Sequence, residues 1–250
     1  MLLLVDPRRL LRALVLVIAL VAGTSLAVNL VALSSPGGGD LEPGSASHWV
    51  GLLSVDAEAN VPTWLSTALL LTAGLALWGA GVVARRSGDR WHRHWTFLAV
   101  VFCYLSLDEL AQIHERLSRI VARVLPTHGF LAFGWVLVAA PLVAALGLAY
   151  LRFLAALWHP VGRLFVLAGA VYVGGALGVE MLSGWIYDGV GEVTVGYVLA
   201  STAEELMEML GVALFLYAVT SHLRREVGPV QEPAREGLTP ENASAVEVGL

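Results

Sequence analysis

The feature that most constrains the fold is a series of six apolar segments separated by polar stretches. A helix needs roughly 20 apolar residues to cross the hydrocarbon core of a bilayer. The windows that meet this requirement are about 13–33, 62–84, 96–115, 129–151, 164–186 and 197–219. With 57% hydrophobic and 14% charged residues, the chain is too apolar for a soluble domain. The sequence therefore predicts an all-α, polytopic membrane helical bundle with six transmembrane helices.

The arginines predict the orientation of this bundle. Most of them fall on one side of a six-span arrangement: Arg8, Arg9, Arg12, Arg85, Arg86, Arg90, Arg93, Arg163, Arg224 and Arg225. Only Arg116, Arg119 and Arg123 fall near the other side. By the positive-inside rule, both termini are predicted to be cytoplasmic. All the basic residues are arginine, which favours a bacterial source and a place in the bacterial cytoplasmic (inner) membrane.

The polar stretches define the remaining organisation. We predict a transmembrane domain over 1–222, an external loop over 34–61 and a disordered cytoplasmic tail over 223–250, which is rich in Pro, Glu, Gly and Ala. The first span is interpreted as an uncleaved anchor, because its apolar run is longer than that of a signal peptide. No basic stripe is present, so nucleic acid is not an expected partner. Membrane lipids are the expected partners.

Six acidic residues interrupt the apolar spans, and we refer to them as the six acids: Asp108, Glu109, Glu180, Glu204, Glu205 and Glu208. An ionised side chain at the bilayer centre costs about 2.5 to 3.5 kcal/mol on insertion scales. Without partners, the six acids would cost on the order of 15 kcal/mol by the same scale. The helical rise predicts that spans three, five and six bring them to a common depth in the outer half of the bilayer.

Helical spacing predicts which side chains share a face. Asp108, Gln112 and Glu115 form one stripe in span three. A second stripe in span six contains Ser201, Glu204 and Glu208. Because lipid excludes polar stripes, both should face the interior of the bundle. Four glycines of span five should let neighbouring helices approach closely: Gly174, Gly175, Gly178 and Gly184.

The charge of the six acids must be compensated without Lys or Arg, since none lies in the acid-bearing parts of these spans. Glu115 is expected to pair with Arg119 at i+4, and His114 is expected on a different face from Asp108. Asp56 and Glu58 of the external loop are expected to be solvated. Two solutions remain, bound cations or protons held by the carboxyl groups.

A carboxylate-rich donor set favours hard or borderline divalent metal ions, without distinguishing Fe, Mn, Mg, Ca or Zn. The predicted metal ligands are Asp108, Glu109, Glu180, Glu204 and Glu208. The predicted supporting residues are Gln112, His114, Glu115, Ser201 and Glu205. No catalytic residue and no oligomeric state is assigned.

Three functional hypotheses follow. The first is a cation- or metal-binding membrane protein, with metal-dependent chemistry on a lipid-like or other small-molecule substrate. The second is a proton- or cation-coupled membrane transporter. The third is a non-catalytic membrane scaffold. Whether the protein is an enzyme stays open at this point.

Overall fold

The computed structural model describes residues 6–34, 46–157 and 159–227, and these ranges contain helices and no strand. The α-helices are α1 (Pro7–Ser34), α2 (Ala46–Leu53), α3 (Val61–Arg86), α4 (His92–Ala111), α5 (Ile113–Val121), α6 (Val136–Ala156), α7 (His159–Val173), α8 (Glu180–Val190) and α9 (Val195–Val227). A 3₁₀ turn at Gly129–Leu131 precedes α6, and a π-helical segment at Gly174–Val179 joins α7 to α8. The all-α prediction is confirmed.

Several of these helices have the length and composition of membrane spans. Five pass on their own: α1, α3, α6, the continuous rod His159–Val190 and α9. The pair α4 and α5 passes only when taken together, and the two helices are bent by 74° at their junction. The described residues thus contain five potential spans, or six if the bent pair is one span. Multi-pass membrane character is supported, and the sides of the termini stay a prediction.

The third segment is not the straight helix that its hydropathy suggested. α4 ends at Ala111, and Gln112 adopts a left-handed backbone conformation with φ 55° and ψ 45°. A residue in this conformation cannot continue a right-handed helix, so the chain turns before α5 begins at Ile113. The apolar pattern carried no signal for this turn, because Gln112 is neither Gly nor Pro.

Other boundaries also differ from the sequence windows. The fourth helix runs over Val136–Ala156, after the 3₁₀ turn, rather than 129–151. α9 continues to Val227, so the first five residues of the predicted tail are helical. The rest of that tail, 228–250, and part of the predicted external loop, 35–45, lie outside the described residues.

α9 is the central helix of the described bundle. It packs against α1, α3, α7, α8 and the π-helical segment. Its apolar half, with Leu216 and Val219 almost fully buried, belongs to a core that also includes Leu77, Trp95 and Phe153. α3 and α4 form a closely packed pair, whereas α6 packs mainly on α7 and exposes most of its surface. The six acids lie toward the end of α9 opposite to this apolar core.

Hydrogen bonds fix the polypeptide between α2 and α3 against α1. Asn29 of α1 donates from Nδ2 to Ser54 Oγ at 2.9 Å, and Asn60 donates to the Ser54 carbonyl at 2.7 Å. The Asn60 side chain also caps the start of α3. The segment that carries Asp56 and Glu58 is therefore held in place between two helices.

The contact between α7 and α9 depends on the absence of a side chain at Gly211. A methyl group there would lie 2.7 Å from Tyr172 Cβ and 2.8 Å from the Tyr172 backbone nitrogen. Small residues serve this purpose in membrane bundles, where close backbone contact replaces the hydrophobic drive.

We predict that Gly211→Ala lowers the free energy of unfolding by about 1 to 3 kcal/mol, the usual cost of overpacking. The matched control is Gly169→Ala on α7, where an added methyl group meets nothing within 4 Å. This control should be neutral or slightly stabilising, because Ala favours helix more than Gly. Thermal unfolding of the purified protein in detergent measures both. Equal effects of the two substitutions would contradict the packing argument.

Candidate functional site

The six acids come from three helices that converge on one end of α9. Asp108 and Glu109 lie in the last turn of α4, Glu180 begins α8, and the other three lie on α9. Glu180 is buried with 9% of its surface exposed, and the rest are partly buried. The carboxyl group of Glu208 lies within electrostatic range of Glu109, Glu180 and Glu204. Acids from all three helices therefore influence one another.

The turn at Gln112 brings His114 onto Asp108. Asp108 Oδ1 accepts a hydrogen bond from the His114 backbone nitrogen at 2.9 Å, and Asp108 Oδ2 lies 3.0 Å from His114 Nδ1. The carboxylate thus caps the start of α5 while it pairs with the imidazole. The prediction that His114 and Asp108 occupy different faces was wrong, because it assumed one continuous helix.

The turn also separates the predicted stripe of Asp108, Gln112 and Glu115. Gln112 sits at the junction itself, and Glu115 pairs with Arg119 on α5 at 3.2 Å, as expected from their i, i+4 spacing. The charge of Glu115 is therefore compensated by Arg119, unlike the charges of the six acids.

Trp135, just before α6, is the hydrogen-bond partner of Glu180. Its Nε1 donates to Glu180 Oε1 at 2.7 Å, and its ring centroid lies 5.4 Å from that of His114. This residue joins the Asp108–His114 pair to the acid on α8. The sequence analysis assigned no role to Trp135, which lies inside the predicted span 129–151.

Ser183 lies between Glu180 and Glu204. Its Oγ is 3.0 Å from Glu204 Oε2 and also 3.0 Å from the Glu180 carbonyl oxygen. Ser201, predicted to support Glu204, instead donates a hydrogen bond to the Val198 carbonyl at 3.4 Å and lies near Asp56. The hydroxyl that serves Glu204 thus comes from α8 and not from its own helix.

Glu109 and Glu208 face a small cavity between α3, α4, α7 and α9. The Tyr172 side chain, hydrogen-bonded to Glu208, and Ser66 complete its polar lining. Its volume is about 10 Å³, which is room for about one water molecule. Leu and Val side chains and Met209 form the remaining wall.

Asp56 and Glu58 belong to this region, contrary to the expectation that both are merely solvated. Tyr197 of α9 donates a hydrogen bond from its hydroxyl to Asp56 Oδ1 at 2.9 Å. Asp56 keeps an exposed edge, yet the protein around its carboxyl group removes enough water to raise its pKa above the ordinary value. Nothing in the sequence indicated what these two acids touch.

Glu58 is sensitive to the charges of α4 and α5. Burial raises its pKa, and the negative charges of Glu115, Asp108 and Asp56 raise it further, whereas His114 opposes them. The segment between α2 and α3 thus lies beside the Asp108–His114 pair.

The π-helical segment sets the distance between α8 and α9. A methyl group at Gly175 would lie 2.8 Å from the Glu204 carbonyl oxygen, and one at Gly184 would lie 3.0 Å from a ring carbon of Phe133. A methyl group at Gly178 would meet nothing within 4 Å, so the packing expectation fails there. A π-helical segment inserts an extra residue into a turn and often occurs at functional sites. Here it directly precedes Glu180.

The described residues contain no group of three or more His, Cys, Asp or Glu side chains arranged to hold a metal ion. Asp108, Glu180 and Glu204 each contact a His, Trp or Ser side chain. The divalent metal site therefore stays a prediction.

Five or six apolar segments long enough to cross a membrane, as the described residues contain, are typical of multi-pass α-helical membrane proteins. Within that class, the chain belongs to the family described as Domain of unknown function (DUF8692), which matches residues 10–223 and so extends from α1 to the last part of α9. Searches of curated proteins and of solved structures gave no match.

We predict that Gln112→Gly maintains or raises stability, by up to about 1 kcal/mol, because Gly adopts the left-handed conformation without steric cost. Gln112→Val should lower stability by about 1 to 2 kcal/mol, since a β-branched residue is strained there. Thermal unfolding in detergent checks both substitutions. If Val proved as stable as Gly, the left-handed turn would not be a stable feature of the protein.

Asp56 and Glu58 also predict a pH dependence of stability. Both have folded-state pKa values above their ordinary values. At a pH between the unfolded-state and folded-state pKa values, the folded protein therefore binds more protons than the unfolded chain. The stability that these two carboxyl groups contribute is fully present below their unfolded-state pKa values. It is lost as the pH rises through their folded-state pKa values. The double substitution Asp56→Asn and Glu58→Gln should flatten this fall, whereas Glu192→Gln in the exposed turn before α9 should not. Unfolding temperatures measured across that pH range provide the test.

Proposed function

We propose that this protein is a cation-binding membrane protein whose six acids take up and release protons, as in a proton-coupled carrier. The arginine distribution supports a place in a bacterial cytoplasmic membrane, with both termini inside and the acids in the outer half of the bilayer. The single observation that carries the proposal is the position of the Ser183 hydroxyl between two oxygen atoms.

Ser183 Oγ lies 3.0 Å from both Glu204 Oε2 and the Glu180 carbonyl oxygen. A hydroxyl group has one proton to donate, and a carbonyl oxygen can only accept. With Glu204 ionised, the two oxygen atoms must share the single hydroxyl hydrogen atom. With Glu204 protonated, Glu204 donates to Ser183 and Ser183 donates to the carbonyl, so both contacts are hydrogen bonds.

The surroundings of Glu204 supply little positive charge. Glu205 and Glu208 on the same helix, together with Glu180, Asp56 and His114, act on it, and of these only His114 can become a cation. His114 is already paired with Asp108 at 3.0 Å. Protons are thus the simplest way to lower the cost of the remaining carboxylates in an apolar bundle.

A route for these protons is supported by the groups at the edge of the site. Asp56, with its exposed edge, is bonded to Tyr197, and Glu58 lies within electrostatic range of Asp108. Protonation and deprotonation would change the repulsion between Glu180 on α8 and Glu204 on α9, close to the tight contact of Gly175 with the Glu204 backbone. A change in that contact is the kind of movement that a carrier couples to its solute.

A second candidate is a metal-dependent enzyme acting on a lipid-like substrate. The cavity between Glu109 and Glu208 favours it, because two carboxylates from different helices face one small volume. Oxygen donors of this kind suit hard divalent ions. The carboxylates of Asp108 and Glu180 would then orient water or substrate nearby.

Infrared spectroscopy of the carboxyl C=O stretch, combined with elemental analysis, separates the two candidates. We expect protonated carboxyl groups in the purified wild-type protein at neutral pH, and Glu204→Gln should remove the signal of about one of them. The exposed Glu192→Gln is the control and should leave this signal unchanged.

The opposite result would be fully ionised carboxylates together with a stoichiometric divalent metal. Loss of that metal in Glu109→Gln and Glu208→Gln would replace the proton proposal with the metal-dependent one.

A further inference from the structure

α5 has the position of a helix that lies along a membrane surface. It is turned by 74° from α4, so if α4 crosses the bilayer, α5 runs close to the plane of its surface. None of its residues is buried. The arginines at this end are also the ones that the positive-inside rule does not explain.

Two parallel stripes run along α5. Ile113, Leu117 and Ile120 follow an i, i+4, i+7 progression. Arginines at positions 116, 119 and 123 follow i, i+3, i+7 beside them. The helical hydrogen bonding continues past the end of α5, since the backbone nitrogen at 125 donates to the carbonyl at 121 at 2.8 Å. An apolar stripe next to a basic stripe is the pattern of an interfacial helix.

Contacts with the rest of the protein fix how α5 is rotated. His114 faces Asp108, and Ser118 Oγ accepts a hydrogen bond from the Trp135 backbone nitrogen at 3.2 Å. The side of α5 that carries these two residues is therefore against the protein. The apolar and basic stripes lie on its other sides.

The basic stripe has more charge than its acidic neighbours balance. Arg119 pairs with Glu115 at 3.2 Å. In the described part of the chain, Arg116 and Arg123 make no ion pair. Large apolar side chains beside them are exposed, with 57% for Ile120 and 78% for Val124. Water is a poor environment for such side chains, and lipid is a good one.

We propose that α5 binds the phosphate groups of anionic phospholipids through Arg116, Arg119 and Arg123, with its apolar stripe inserted among the acyl chains. Arginine suits this role because its planar guanidinium group forms paired hydrogen bonds with phosphate oxygens. Its aliphatic stem can cover apolar surface at the same time. Charge complementarity selects an anionic headgroup, and the exposed Ile120 and Val124 select a lipid over a soluble phosphate.

The test uses the full-length protein with a fluorophore at Ile120→Cys, in a Cys103→Ser background, in neutral detergent. The fluorophore reports the polarity around α5 while phosphatidylglycerol or phosphatidylcholine is added. We expect a shift to apolar emission at lower concentrations of phosphatidylglycerol. Replacing the three arginines of α5 by Gln should weaken this response by about 25-fold, since Arg116 and Arg123 make no ion pair with the described residues and each contributes about fivefold near an anionic surface.

The control is the triple substitution of Arg85, Arg86 and Arg93 by Gln, which removes the same charge from exposed positions near the other end of α4. It should leave the α5 response unchanged. Equal responses of the labelled protein with its arginines intact to the two lipids would overturn the proposal, and this arm requires no variant of the arginines. Full competition by inorganic phosphate would also overturn it, because the site would then bind free anions and not lipid.

Discussion

The cost of removing carboxylates from water governs the arrangement at the acidic end of this bundle. Six acids in apolar helices need hydrogen-bond donors or positive charge, and the sequence gives these helices neither Lys nor Arg beside them. The structure supplies hydrogen-bond partners from unexpected places: the indole of Trp135, the hydroxyl of Ser183 and the imidazole of His114. Trp135 and Ser183 lie on different elements from the acids that they contact, and His114 is separated from Asp108 by the turn between α4 and α5. The hydrogen bonding of the acids therefore depends on the tertiary structure.

The left-handed residue Gln112 has the largest structural consequence of any single position. It ends α4, turns the chain by 74° and places the His114 backbone and side chain on the Asp108 carboxylate. Without that turn, His114 would face away from Asp108. The same turn lays α5 across the end of the bundle. One strained backbone position thus determines both a contact of the acidic site and the orientation of the basic stripe on α5.

Hydropathy was sufficient to predict the helical class and the approximate positions of the long helices, because a bilayer imposes a length on apolar segments. It could not predict the turn at Gln112, since the residue carries no Gly or Pro signal, nor the π-helical segment before Glu180. Spacing predicted the Glu115–Arg119 pair, which is local. It failed for Asp56, whose contact with Tyr197 joins residues far apart in the chain. Spacing rules relate residues that are one or two helical turns apart in the sequence. The candidate site depends on contacts between residues that are farther apart than this.

His114 connects the acidic site to the basic stripe on α5. Its ring contacts the Asp108 carboxylate on one side and lies near Trp135, which in turn binds Glu180. Its backbone is part of α5, beside the arginine stripe. A force on α5, such as the insertion of its apolar stripe into lipid, would act on the Asp108–His114 contact directly, because only Gln112 and Ile113 separate α4 from His114. The state of the acids and the attachment of α5 are therefore physically linked through a few residues, without a long pathway through the bundle.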